Sequence, residues 1–128
     1  MAIRIVRVGS PRRRGEGLRL GTVRRPPRGV PRTKFASDDW YDVWLPALAP
    51  SAALMQRTSM DEAGRWWPVF ARRFGAELKQ PDASRLLDVL AALSHQTDFS
   101  VGCYCEDERH CHRSLLRREL SARGAVIT

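Results

Sequence analysis

A small α/β domain is what this chain predicts, and three observations carry that expectation. Apolar residues alternate with polar ones near both ends of the chain. They recur at helical spacing through its second half. The length, 128 residues, suits one domain able to bury about two-thirds of its unfolded surface. Glycine and proline punctuate the segments, giving the order β, β, α, α, α, β, α, β. That order describes one domain over residues 1–128, with a small mixed sheet flanked by helices.

Residues 2–8 place Ile3, Ile5, Val6 and Val8 around Arg4 and Arg7, a strand pattern. Gly9-Ser10-Pro11 ends it, and residues 12–17 form a loop by composition. Residues 18–23 read as a second, shorter strand. Three prolines and a glycine then exclude regular structure from a basic loop at residues 24–34, and proline stiffens the positions of Arg24, Arg25 and Arg28. Asp38, Asp39 and Asp42 suit the capped start of a short helical stretch through Trp44 and Leu48. Ser59-Met60-Asp61-Glu62 fits a capping box, so a helix is expected to start at or just after Ser59. Trp67, Phe70, Phe74 and Leu78 continue it as one apolar stripe. Pro68 either kinks that helix or marks its first turn. Another helix begins at Pro81, with Leu86, Leu90 and Leu93 on one face, and His95 near its end suits the helix dipole. Residues 98–104 form a strand, residues 114–123 a closing helix stopped by Gly124, and residues 125–127 a final strand.

Charge is unevenly placed. Residues 1–34 hold eleven cations, ten of them arginine, against the single Glu16, a net of +10; the remainder nets −2. Guanidinium forks suit phosphate and carboxylate, so the composition points to a phosphate-bearing partner, a small molecule or a nucleic acid. A solvated arginine-rich loop is the plain alternative. No apolar run reaches the roughly 18 residues of a membrane span, and the N-terminus lacks a signal-peptide core. An odd, clustered set of cysteines argues against a secreted disulfide framework. A cytoplasmic protein without a membrane partner is expected.

All three cysteines and two of three histidines lie within residues 101–113, at a strand-to-helix turn. If the last helix begins near Cys111, that thiol faces unpaired N–H groups and the positive end of the helix dipole, with Arg113 and a histidine nearby. Such surroundings favour thiolate, and they also attract phosphate. His110-Cys111 followed by Arg117 matches the bare His-Cys-x5-Arg spacing of cysteine phosphatases, although the intervening residues lack glycine and include two helix-core leucines. A metal reading takes Cys103, Cys105, Cys111 and His112 as zinc ligands. Residues 103 and 105 share one side of a strand, whereas neighbouring helical residues such as 111 and 112 diverge by roughly 100°. A Cys105–Cys111 disulfide is a third possibility. Buried structural cysteines account for Cys103 but leave Cys111-His112-Arg113 unexplained.

Cys105-Glu106 followed by Cys111-His112-Arg113 and a helix resembles the C-terminal signature of domain-of-unknown-function family four-eight-eight. Val23-Arg24 with Pro27 and Phe35 resembles that family's aspartate-valine-arginine-x-x-proline segment. Val8-Gly9-Ser10 resembles its first-strand turn, and the segment from Trp44 to Ser51 resembles the YeaO-like branch. The resemblance covers most of the chain and implies a compact Rossmann-like α/β layout with no established activity. Two features depart from it. Thr22 stands where relatives carry aspartate, and the loop at residues 9–17 is too short for a helical crossover. If the first two strands form a hairpin, Ser10 and Arg24 lie at opposite ends.

Ligands of open α/β sheets bind beyond the carboxyl ends of parallel strands. Should the second strand and the strand at residues 98–104 run parallel, the arginine loop and the cysteine turn converge. The leading expectation is a small enzyme for a phosphate-bearing ligand, a nucleotide or nucleic-acid base. Ser10, Arg24, Arg25 and Arg28 would hold the anion. Cys111, His112 and Arg113 would supply nucleophile, proton transfer and charge stabilisation, with Glu106 as acid or base and no cofactor. The alternative is a non-catalytic nucleic-acid-binding module with a structural or zinc-bound cluster.

Overall fold

Four strands, β1 (Ile3–Arg7), β2 (Leu18–Gly21), β3 (Val43–Trp44) and β4 (Phe99–Cys103), form one sheet in the order β1-β4-β2-β3. The computed structural model describes residues 1–128. Every pairing is parallel, so the sheet is not mixed. The hairpin alternative for the first two strands is thereby excluded: β4 lies between them, with Phe99 opposite both Ile3 and Leu18. The ten residues joining β1 to β2 make a parallel connection without a helix. Extended chain covers about 3.3 Å per residue, enough to return along a five-residue strand and step past one neighbour. All five residues of the central β4 are buried, as expected of a strand covered on both faces.

Helices α1 (Ala52–Arg57), α2 (Trp67–Leu78), α3 (Pro81–Leu93) and α4 (His112–Ala122) pack on the face carrying Ile3, Phe99 and Val101. Leu54, Phe74, Leu87, Leu116 and Leu120 join those strand residues in the main core. The opposite face carries Ser100, Gly102 and Arg19. Loop segments rather than helices cover it, because the short β1–β2 linker has no room for one. Glu16 Oε2 accepts from Ser100 Oγ at 2.8 Å there. Its carboxylate also takes Arg19 Nε at 2.8 Å and Nη2 at 3.0 Å. Gly17, at φ +77°, permits the turn into β2: a Cβ there would lie 2.0 Å from the Asp98 carbonyl oxygen.

Several boundaries differ from expectation. Residues 38–42 are not helical. Asp39 adopts φ 63°, and the Asp42 carboxylate binds the backbone N–H of Arg19 at 2.7 Å. The chain then enters β3 and a 3₁₀ turn at Pro46–Leu48. The capping box at Ser59 is unused. Ser51 caps α1 instead, its Oγ accepting from Leu54 N at 3.1 Å, and α2 starts at Trp67 with Pro68 in its first turn. The missing N–H of proline costs nothing there. Residues 125–127 contribute only a single parallel bridge, Ile127 to Ile3. No helix is long and apolar enough to cross a membrane.

Candidate functional site

Beyond the carboxyl ends of β2 and β4, the strand parity that buries Val101 carries Cys103 toward the helices. Two residues on, Cys105 returns to the same side, and the two Sγ atoms lie 3.8 Å apart. The chain turns through Glu108–His110 and reaches Cys111, which occupies the N-cap position of α4 with extended backbone (φ −128°, ψ 148°). Its sulfur makes no capping hydrogen bond. Because Cys111 is extended rather than helical, its side chain converges with that of His112, Sγ to Nδ1 being 3.9 Å. This differs from the divergence expected of helical neighbours.

His112 is held from behind. Its Nε2 lies 2.6 Å from the Thr22 carbonyl oxygen, and Phe74 packs edge-on against the ring at 5.5 Å. A carbonyl only accepts, so Nε2 carries the proton and the Nδ1 lone pair faces the sulfurs. Arg113 is buried and donates Nε to Cys111 Sγ at 3.4 Å and Nη2 to the Cys105 carbonyl at 2.6 Å.

The three thiols are not equivalent. Donation from the Cys103 and Cys105 thiols drives the Cys111 thiol down from its usual value against the opposing effect of burial. Cys103, donating to both other sulfurs from a buried position, is driven up. Cys105 receives from Cys103, which lowers it, but donation to Cys111 and burial leave it raised. The unpaired N–H groups at the start of α4 favour charge at the same end.

These groups floor a cleft of about 460 Å³. Its walls are largely apolar: Val23, Met55, Met60, Trp66 and Phe70, with Tyr104 and His110. His110 lies 5.7 Å from Trp67 and 6.3 Å from Trp66, ring to ring. Arg24 and Arg25 line the cleft too, so the early arginine loop and the late cysteine turn meet. They are not equivalent. Arg24 donates Nε to the Pro50 carbonyl at 2.9 Å and Nη2 to those of Pro46 and Ala49 at 3.0 and 3.2 Å, whereas the exposed Arg25 has no side-chain partner.

Other expected residues lie elsewhere. Arg28 is exposed outside the cleft lining. Ser10 borders a separate groove with Arg4 and Arg13, and its carbonyl receives Arg19 Nη1 at 2.8 Å. Glu106 is 84% exposed and sits 3.5 Å from Arg7. Arg117 pairs with Glu108 at 2.7 and 3.0 Å and does not line the cleft, which leaves the phosphatase-like spacing without its arginine. All three cysteines are free, so the Cys105–Cys111 disulfide is absent. Sequence reasoning assigned Trp66 and Met55 no part in the site. The aromatic run was the one available signal, and it reads equally as core. The atoms of Cys103, Cys111 and His112 able to ligate a metal lie within 4.8 Å of one another.

No curated protein and no solved structure matches the chain. A family model described as the active DUF488-N3 subclade matches residues 3–124, from β1 to the end of α4 and through both halves of the cleft. The chain belongs to the DUF488 family.

Proposed function

We propose that this chain is a small enzyme whose cleft takes a nucleotide or nucleic-acid base and whose reactive group is the sulfur of Cys111. One observation carries the reading. Cys111 Sγ, on the floor of a cleft with apolar walls, is the point to which Arg113 Nε, the neighbouring thiols and the His112 ring all converge. Thiolate is the nucleophilic form of cysteine, and cationic neighbours with a helix start favour it. Cys111 Sγ bonds to an electrophilic ring carbon of the base as a ring π bond breaks, the electron pair so released takes up a proton relayed from solvent through His112 Nδ1, and Arg113 steadies the charge on sulfur before the bond forms. Trp66 and Phe70 supply apolar surface for a flat ring, and Arg25 the nearest uncommitted cation for a phosphate. Glu106 points to solvent, which leaves proton transfer to His112.

The test is alkylation read by peptide mass spectrometry. Iodoacetamide is expected to modify Cys111 first, with nucleotides slowing the reaction. Equal, slow labelling of all three cysteines, unaffected by nucleotides, would defeat the reading.

A second reading is favoured by the spacing itself. Zinc–sulfur bonds of about 2.3 Å in a tetrahedron require sulfurs about 3.8 Å apart, the separation of Cys103 and Cys105. A histidine whose far N–H donates to a carbonyl is the outer arrangement common to zinc ligands. Cys103, Cys111 and His112, with Cys105 as a fourth donor, fit such an ion. Stoichiometric zinc in protein purified without chelators would favour this reading, and metal-free protein would count against it.

A further inference from the structure

A second depression lies on the sheet face that no helix covers. About 690 Å³ in volume, it is bordered by Arg4, Arg7, Arg13, Arg14 and Arg19, with Glu16 and, at its rim, Thr128. Arg19 is fully committed to Glu16, Ser10 and Asp39. Arg7 is shared between the Tyr104 carbonyl at 3.1 Å and Glu106 at 3.5 Å. The guanidinium groups of Arg4, Arg13 and Arg14 have no carboxylate and no hydrogen-bond partner. Glu16, the acidic side chain in the lining, is buried under Arg19. Three cations without a counter-charge from the protein therefore face one groove, an arrangement that favours an anionic partner.

The groove and the cleft adjoin. Arg7 borders the first, Tyr104 lines the second, and they are hydrogen-bonded. Tyr104 Oη continues the line to the carbonyl of Arg25 at 2.8 Å. Arg4, Arg7, Arg13 and Arg14 border the groove and Arg25 lines the cleft, and the contacts of Tyr104 with Arg7 and Arg25 join the two. A mononucleotide uses the cleft and Arg25 but leaves the other guanidiniums unused. A nucleic-acid strand uses both: a base enters the apolar cleft while the phosphates on one side of it cross the groove.

We infer that the cleft receives its base from a single-stranded nucleic acid whose phosphates lie across Arg4, Arg13 and Arg14. This deepens the proposed function and rests on it for the role of the cleft. A duplex is disfavoured, because a base must leave its stack to enter.

The experiment measures fluorescence anisotropy of labelled single-stranded DNA and RNA oligonucleotides of about 12 nucleotides, a length several phosphates beyond the cleft, across a salt series. The triple variant Arg4→Gln/Arg13→Gln/Arg14→Gln removes the unpaired cations without breaking an ion pair, and thermal melting and Cys111 alkylation verify its fold and cleft. The wild type is expected to bind, and the variant to bind about tenfold or more weakly. The slope of log K against log salt should flatten by about 2, as loss of three single-strand phosphate contacts requires. Failure of the wild type to bind at low salt, or an unchanged slope in a folded variant, overturns the inference. So does a preference for anionic lipid vesicles over oligonucleotide. Oligonucleotide binding without selective Cys111 alkylation would keep the groove and remove the enzyme reading, so the two failures are distinguishable.

Discussion

His112 Nε2 meets the main-chain carbonyl of Thr22 at 2.6 Å, joining the first turn of α4 to the residue after β2. This contact turns an imidazole lone pair toward Cys111. It also answers the absence of an aspartate at position 22, because the orienting acceptor is backbone. Thr22→Val should therefore leave the Nε2–H tautomer intact. The variant loses the bond from Thr22 Oγ1 to the Gly102 carbonyl, 2.9 Å long, and the longer contact of Oγ1 with His112 Nε2 at 3.4 Å, at a cost of about 1 kcal/mol. Nitrogen-15 chemical shifts of the His112 ring and urea denaturation check the two halves separately. A tautomer change in Thr22→Val would show that the hydroxyl, not the carbonyl, sets the ring.

Arg24 and Arg25 are neighbours with opposite duties. Arg24 ties three carbonyls of residues 46–50 to the end of β2, a fork that lysine cannot reproduce. Arg24→Lys is expected to lose about 1–3 kcal/mol of stability. Arg25→Ala should stay within about 0.5 kcal/mol of wild type yet weaken nucleotide binding. Denaturation curves beside calorimetric titration with a nucleoside monophosphate read out both, and a reversal of the two effects would reassign the arginines.

That pair illustrates how much of the molecule was legible in the sequence. The expected strands at residues 2–8, 18–23 and 98–104 contain β1, β2 and β4, because alternation is a local property that burial enforces. The same parity predicted that Cys103 and Cys105 would share a side. Pairing is not local: nothing in residues 1–23 says that β4 inserts between β1 and β2. Asp39 and Asp42 look like helix caps but serve a left-handed turn and the Arg12 and Arg19 contacts. The convergence of Cys111 with His112 depends on the extended backbone at one N-cap, which residue spacing does not encode. Composition marks Arg24 as cationic but not that carbonyl oxygens already hold it.

Glu16 and Arg19 form a bidentate pair, both within 2% exposure. Burial alone pushes the Glu16 carboxyl up. Hydrogen bonds from Arg19, Ser100 and the Arg13 backbone outweigh that and hold it down at about 2. The carboxyl is depressed in the folded state, so its contribution is fully present above its unfolded value of about 4.5 and disappears as pH falls through about 2. The difference corresponds to about 3 kcal/mol. Between pH 5 and pH 2 the wild type should lose about that much more stability than Glu16→Gln, which at neutral pH starts about 3 kcal/mol lower because Arg19 stays buried without its counter-charge. Urea unfolding at several pH values tests the crossover, and parallel curves would mean that the pair does not couple folding to pH.

Tyr41 lies over Gly21, where a Cβ would stand 2.3 Å from the Tyr41 Cδ2, and its ring meets Phe35 at 5.2 Å. The ring fills the space that the missing side chain leaves, and its buried hydroxyl has no hydrogen-bond partner. An unpaired buried hydroxyl carries a desolvation penalty with no compensating bond, so its removal is neutral or stabilising. Tyr41→Phe keeps the ring and should raise stability by up to about 1 kcal/mol, a few degrees in melting temperature for a domain of this size. Gly21→Ala should do the reverse, losing several kcal/mol as the ring is displaced from a close-packed position. Substantial destabilisation in Tyr41→Phe would mean that the hydroxyl is bonded in solution, and thermal melting of the two variants decides the matter.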